Sequence, residues 1–159
     1  MIRHPKKYFD IANDYALDNY TCCKVQVGSL FITEDGSEMY VTCNQNKDHN
    51  CREMGFCYKA RESGIYESRE ETRHLCKAVH SEINMINLLK SKNIKPGEGV
   101  LFVTRYPCQA CLKACIKFGI KNIFFAGYSK GTSPEELFDI AKKSKIVIKH
   151  FDKIDYEYN

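Results

Sequence analysis

The sequence predicts a three-layer α/β/α sandwich built on a five-stranded mixed sheet, and three observations carry that expectation. Residues 99–104 and 123–126 are almost continuously apolar, as strands covered on both faces are. Segments of helical periodicity separate them. An early pair of strand-like runs flanks the turn Glu34-Asp35-Gly36-Ser37, which adds an antiparallel hairpin to an otherwise parallel arrangement.

Taken in order, residues 5–20 predict a helix, with Tyr8, Ile11, Ala12, Tyr15 and Ala16 at helical spacing and Pro5 in its first turn. Residues 25–33 and 39–42 form the hairpin strands. From 43 to 72 the pattern dissolves into a polar, charged, cysteine-bearing insert; a stretch this long is functional, clipped or disordered, and its cysteines favour a clip. A second helix is expected over 73–92, with Val79, Ile83, Ile86 and Leu89 on one face and Ile94-Lys95-Pro96-Gly97 ending it. Strand 99–104 follows. Pro107 then opens a helix that stops at Gly119, with Leu112, Cys115, Ile116 and Phe118 behind its first turn. Strand 123–126, a helix over 134–143 capped by Ser133, and strand 146–148 complete the set. The tail from 151 to 159 has no clear pattern. There are no repeats or linkers, so residues 1–159 are expected to form a single domain.

Composition narrows the function classes. An apolar fraction of 43%, a charged fraction of 28% and a net charge of +4 describe an ordinary, mildly basic globular chain. That charge suits an anionic small molecule or a modest nucleic-acid contact, or simply a solvated basic surface, and no basic cluster stands out. The first ten residues carry charges and no apolar core of a signal peptide, and no apolar run reaches ~18 residues, so neither secretion nor a membrane span is expected. Nine cysteines then point to metal ligation in a reducing cytoplasm before disulfides.

The chemistry concentrates in His80-Ser81-Glu82 and Pro107-Cys108-Gln109-Ala110-Cys111. One imidazole and two thiols are three good zinc ligands, which leaves a fourth tetrahedral position for water. Glu82 is the spare carboxylate that a hydrolytic site needs. Cys108 and Cys111 lie three apart and share one face of a helix start, whose amides favour thiolate. A structural zinc or a redox pair is the alternative for Cys-x-x-Cys, but a closed structural site would leave Glu82 without a task.

The two motifs together match the H-x-E and P-C-x-x-C pattern of zinc-dependent nucleobase deaminases. The chain resembles the cytidine and deoxycytidylate deaminase superfamily, most closely its deoxycytidylate branch. The residues that carry this are Tyr20-Thr21-Cys22, Val27-Gly28, Cys76 through Asn84, Val103-Thr104 leading into the cysteines, and Phe118-Gly119-Ile120-Lys121, a span of roughly 5–130. The resemblance implies a cytidine-deaminase-like fold, a catalytic Zn2+ on His80, Cys108 and Cys111, and conversion of dCMP to dUMP plus ammonia. In that scheme zinc-bound hydroxide attacks the ring and Glu82 shuttles the proton. It also implies a homo-oligomer, a dimer or hexamer. Two departures stand out. Ser81 replaces the family's usual alanine, a small and harmless change on its face. Of the family's Gly-Tyr-Asn-Gly after the hairpin only Asn44 survives, at the position similar enzymes use to hold the nucleoside.

The resemblance extends to a second, structural zinc, for which Cys22, Cys51, Cys57 and Cys76 are the candidate ligands, with His49 and His74 as substitutes. Four thiolates would close a tetrahedral site and pin the insert; buried, unligated thiols are the alternative. Cys23, Cys43 and Cys115 are expected as small core residues, and His4 and His150 as surface histidines. Candidate phosphate contacts are Lys24, Arg52, Lys59 and Arg105, with Tyr106 placed to stack on a base. Rival readings are a nucleic-acid deaminase of the tRNA adenosine type and a non-catalytic zinc-held binding module.

Overall fold

Strand order in the sheet is β2-β1-β3-β4-β5, with β1 antiparallel to both β2 and β3, and β3, β4 and β5 mutually parallel. The computed structural model describes residues 2–66, 70–127 and 133–151. The strands are β1 (Gly28–Ile32), β2 (Met39–Cys43), β3 (Val100–Val103), β4 (Asn122–Ala126) and β5 (Val147–Phe151). The helices are α1 (Pro5–Asn19), α2 (Cys51–Met54), α3 (Tyr58–Ser63), α4 (Ser81–Ser91), α5 (Gln109–Phe118) and α6 (Pro134–Ser144), with a 3-10 turn at Glu70–Leu75. Most of the patternless tail, 152–159, lies outside the described residues, as do three residues of the insert.

The layers follow from side-chain alternation along the strands. Leu30 and Phe102 turn to one face, where Phe9 and Ala12 of α1 meet them. Phe31, Leu101, Val103, Ile123 and Phe125 turn to the other, against Met85 and Leu89 of α4, Leu112 of α5 and Leu137 of α6. Among the described residues, the expected three-layer sandwich therefore packs α1 on one side and α4, α5 and α6 on the other. Helix α1 approaches very closely because its inward positions are small (Ala12, Ala16) and because Gly28 has no side chain. A Cβ on Gly28 would stand 2.0 Å from the Ala12 carbonyl oxygen.

Three expectations are corrected. The helix expected over 73–92 begins at Ser81: residues 70–75 form a 3-10 turn, and Val79 exchanges backbone hydrogen bonds with Gln45 at 3.0 and 2.7 Å. Val79 is apolar because it packs in an extended bridge, which imitates helical periodicity. The insert is not patternless. Asn50 caps α2 by accepting from the Glu53 N–H at 3.1 Å, and Gly55 and Gly64 close α2 and α3 in left-handed conformations. His150, expected at the surface, is half-buried on β5. Its ring stacks on Phe125 at 5.1 Å and its Nδ1 lies 3.2 Å from the Tyr106 hydroxyl. Smaller shifts move the start of the first strand to Gly28 and of the third long helix to Gln109.

Candidate metal and active site

Two helix N-termini converge at the C-terminal end of β3. His80 is the N-cap residue of α4 and Cys108 that of α5, so the sequence places one ligand at the mouth of each helix. Extended φ and ψ at both caps (−65° and 153°; −68° and 159°) turn the side chains away from their own helices. Cys108 caps with sulfur, its Sγ accepting the Cys111 N–H at 3.4 Å. The two cysteines are thus held on one turn by a bond that favours thiolate.

His80 Nδ1 lies 3.3 Å from Cys111 Sγ and 3.7 Å from Cys108 Sγ. Zinc bonds of ~2.3 Å to sulfur and ~2.0–2.1 Å to nitrogen at tetrahedral angles require an S···N separation of about 3.6 Å. The observed distances bracket it. Among the described residues this is the one group of three or more His, Cys, Asp or Glu ligand atoms lying within 4.8 Å of one another. His80 is exposed, Cys108 half-buried and Cys111 buried, so the cluster runs from the surface inward and stays open on the histidine side.

The electrostatics ask for a cation. A hydrogen bond with Cys111 and a second with His80, against the cost of burial, hold the Cys108 thiol down to about 4. The same shared proton, together with burial, pushes Cys111 well above the ordinary thiol range. A positive ion held between the two sulfurs would favour both as thiolates. His80 is raised by its hydrogen bond with Cys108, against burial, and the Arg105 charge opposes the rise.

Glu82, the second residue of α4, is only 4% exposed. Burial pushes its carboxyl up, while its own backbone, His80 and a hydrogen bond with Cys111 pull the other way. A carboxyl buried within reach of a ligand set, with its proton affinity raised, is the arrangement expected of a proton carrier. Behind it, burial pushes the Cys115 thiol up, which keeps that sulfur a neutral core group.

The other sequence-predicted residues are placed differently. Asn44 is buried, its Oδ1 accepting the Val27 N–H and its Nδ2 donating to the Val25 carbonyl, both at 2.9 Å. Tyr106 is 7% exposed and packs edge-on against Phe125 and His150, at 4.8 and 4.6 Å. Lys24 donates to the Tyr66 carbonyl and stands over that ring, and Arg52 lies 4.2 Å above the Tyr20 ring while donating to the Asp18 carbonyl. His49 stacks on Tyr58 at 3.6 Å.

The Cys51 thiol is raised by burial, against a hydrogen bond from the Tyr58 N–H, and Cys57, Cys22 and Cys76 raise it further. Those four therefore share one neighbourhood, although their sulfurs do not close to ligand distance. Cys23, expected in the core, belongs to the same group: burial raises it first, then Cys22, Cys51 and Cys57. Sequence reasoning missed three neighbours of the site. Ser29 and Thr42 hydrogen-bond Ser81, and the Asn84 amide donates to the Cys43 carbonyl at 2.8 Å. Ser29 and Thr42 lie on the hairpin, 52 and 39 residues from their partner, beyond any local signal. Two open clefts of about 680 and 580 Å³ lie at the opposite end of the sheet, around residues 33–38 and 93–97, and include no ligand residue. No helix among the described residues is long and apolar enough to cross a membrane.

The chain is similar to known proteins. The family described as the cytidine and deoxycytidylate deaminase zinc-binding region matches residues 2–127. ComE operon protein 2 of Bacillus subtilis (strain 168) is 39% identical over 70 residues, a match covering 43% of this chain and 36% of that protein. The dCMP deaminase of cyanophage S-TIM5, solved with dCMP and dUMP, has a TM-score of 0.68 at 16% identity, over 95% of this chain and all of that one. A guanine deaminase from Nitrosomonas europaea has a TM-score of 0.59 at 14% identity, over 94% and 78% of the two chains. At these identities the two structures share a fold with the chain and leave its substrate open.

Proposed function

Because the chain belongs to the cytidine and deoxycytidylate deaminase zinc-binding family, we propose that it hydrolyses a cytosine nucleotide, converting dCMP to dUMP and ammonia. The observation that carries the reading is Glu82: a buried carboxyl, adjacent to a three-ligand set that fits zinc and has no fourth ligand among the described residues. Zinc held by His80, Cys108 and Cys111 would supply the Lewis acidity that makes water nucleophilic near neutral pH.

The chain's own groups do the rest. Glu82 accepts the proton of the attacking water, returns it to the ring nitrogen next to the amine-bearing carbon, and assists the amine's departure as ammonia. Burial matches its proton affinity to that double task. Water is consumed, and its oxygen becomes the new carbonyl. Three substrate contacts and one supporting residue are carried in this proposal. Asn44 retains one N–H and one lone pair beyond its backbone bonds, enough for a sugar hydroxyl. Arg105, whose charge acts on His80, is suited to a phosphate, and Lys24, held on Tyr66, is carried here as a second phosphate contact. Tyr106 contributes through shape, by holding the segment that leads to Cys108.

A second, structural zinc on Cys22, Cys51, Cys57 and Cys76 belongs to the same proposal, supported by the shared neighbourhood of those thiols, with Cys23 as an alternative donor. Reduced thiolates of this kind imply a cytoplasmic setting, and the resemblance implies a homo-oligomer. Ammonia release from dCMP, cytidine, cytosine, dCTP, guanine and a tRNA anticodon stem tests the substrate assignment. The proposal expects dCMP to turn over fastest. Preference for the tRNA stem or guanine would reassign the substrate, and no release from any would favour a binding module.

A further inference from the structure

The residue between His80 and Glu82 is Ser81, and it is not a spacer. Its side chain is fully buried at the start of α4, with its Oγ 2.7 Å from Oγ of Ser29, itself fully buried on β1. Ser29 lies on the strand face that carries Phe31, the face turned to α4. The Ser81 carbonyl in turn accepts from Thr42 Oγ1 of β2 at 2.8 Å. One residue is thereby tied to two strands, through its side chain and its backbone, at the point where the chain passes from metal ligand to proton carrier. Neither serine hydroxyl reaches solvent, so each depends on the other for its hydrogen bond.

We infer that the Ser29–Ser81 hydroxyl pair is a positioning device for the catalytic turn. It fixes the first turn of α4 against the sheet so that His80 and Glu82 face the cysteines of α5 together. The inference rests on the proposed roles of His80 and Glu82 and adds two residues to them, neither of which touches substrate or metal. Its distinctive consequence is coupling. Removing either hydroxyl breaks the one bond that pins the turn and strands the other in a dry site, and removing both breaks no further bond between them.

The test compares Ser29→Ala, Ser81→Ala and the double variant with wild type, by kcat, KM and the rate of zinc transfer to a chromogenic chelator. Each single variant should lower kcat about tenfold (~1.4 kcal/mol) with KM within about twofold, and should release zinc faster. The double variant should keep a loss no larger than that of either single one, because the same bond is absent in all three; full recovery there would show that the bond positions nothing. Thr42→Val, which removes only the bond to the Ser81 carbonyl, should shift the same two readouts in the same direction, and it decides the matter if a serine variant fails to fold. Losses that add in the double variant, or variants that lose thermal stability while kcat and zinc release stay at wild-type values, would overturn the inference. If wild type releases ammonia from no substrate, the functional reading fails by itself. The chelator rates then decide the pairing: rates unchanged in the single variants overturn it, and faster release that does not add in the double variant upholds it.

Discussion

Cys108 does two jobs with one sulfur: it ends the strand-to-helix loop as an N-cap and it presents a ligand. These separate by substitution. In metal-free protein Cys108→Ser should stay within a few tenths of a kcal/mol of wild type, because a hydroxyl also caps, whereas Cys108→Ala should lose about 1 kcal/mol in urea melts. Both should lose the zinc at that site by metal analysis. Gly28 illustrates a constraint of another kind. With the Ala12 carbonyl 2.0 Å from where a Cβ would sit, Gly28→Ala must push α1 off the sheet. A loss of about 2–3 kcal/mol is expected from such overpacking, or roughly 5–10 °C in Tm for a domain of this size. The ligand residues were legible in the sequence because metal chemistry restricts residue types and spacing. Ser29 was not, since a serine on a strand announces nothing about a helix that returns 52 residues later.

Helices α4 and α5 begin where the chemistry is, and their ends were read with unequal success. Pro107 and Gly119 bracket α5 within two residues, because both act on the local backbone. The start of α4 was misread by eight residues: Val79 kept up the apolar rhythm while its backbone had been claimed by Gln45. That displacement has a function. An extended residue 79 makes His80 a cap and brings Glu82 into the first helical turn beside it. The insert escaped sequence reading for a related reason, since one-turn helices depend on caps more than on periodicity. Asn50→Ala removes the bond to the Glu53 N–H and should expose α2. Amide exchange across 51–54 should quicken by about fivefold, the equivalent of ~1 kcal/mol, while the sheet stays protected.

At the scale of the molecule, the sheet's alternation and its two dry strands were enough to give the three layers. Where the insert lies depended on hydrogen bonds from Asn46 and Arg52 to Thr21 and Asp18, which no periodicity encodes. The same distribution predicts how the whole chain answers to metal. Ligands drawn from α4 and α5 join separate parts of the sandwich, so zinc binds the folded state and stabilises it by mass action. Chelation should lower Tm by several degrees, and readdition of zinc should restore it. If the insert thiols also bind, metal analysis should approach two zincs per chain; about one per chain, with Cys51 and Cys57 open to alkylation, would remove the second site. The central claim, that a buried carboxyl beside an open three-ligand zinc site moves the proton of hydrolysis, is tested most directly in Glu82→Gln by measuring zinc content and ammonia release on the same sample. The account predicts full zinc occupancy with turnover lowered by a factor of 10² or more. Release at the wild-type rate from the zinc-loaded variant would contradict it.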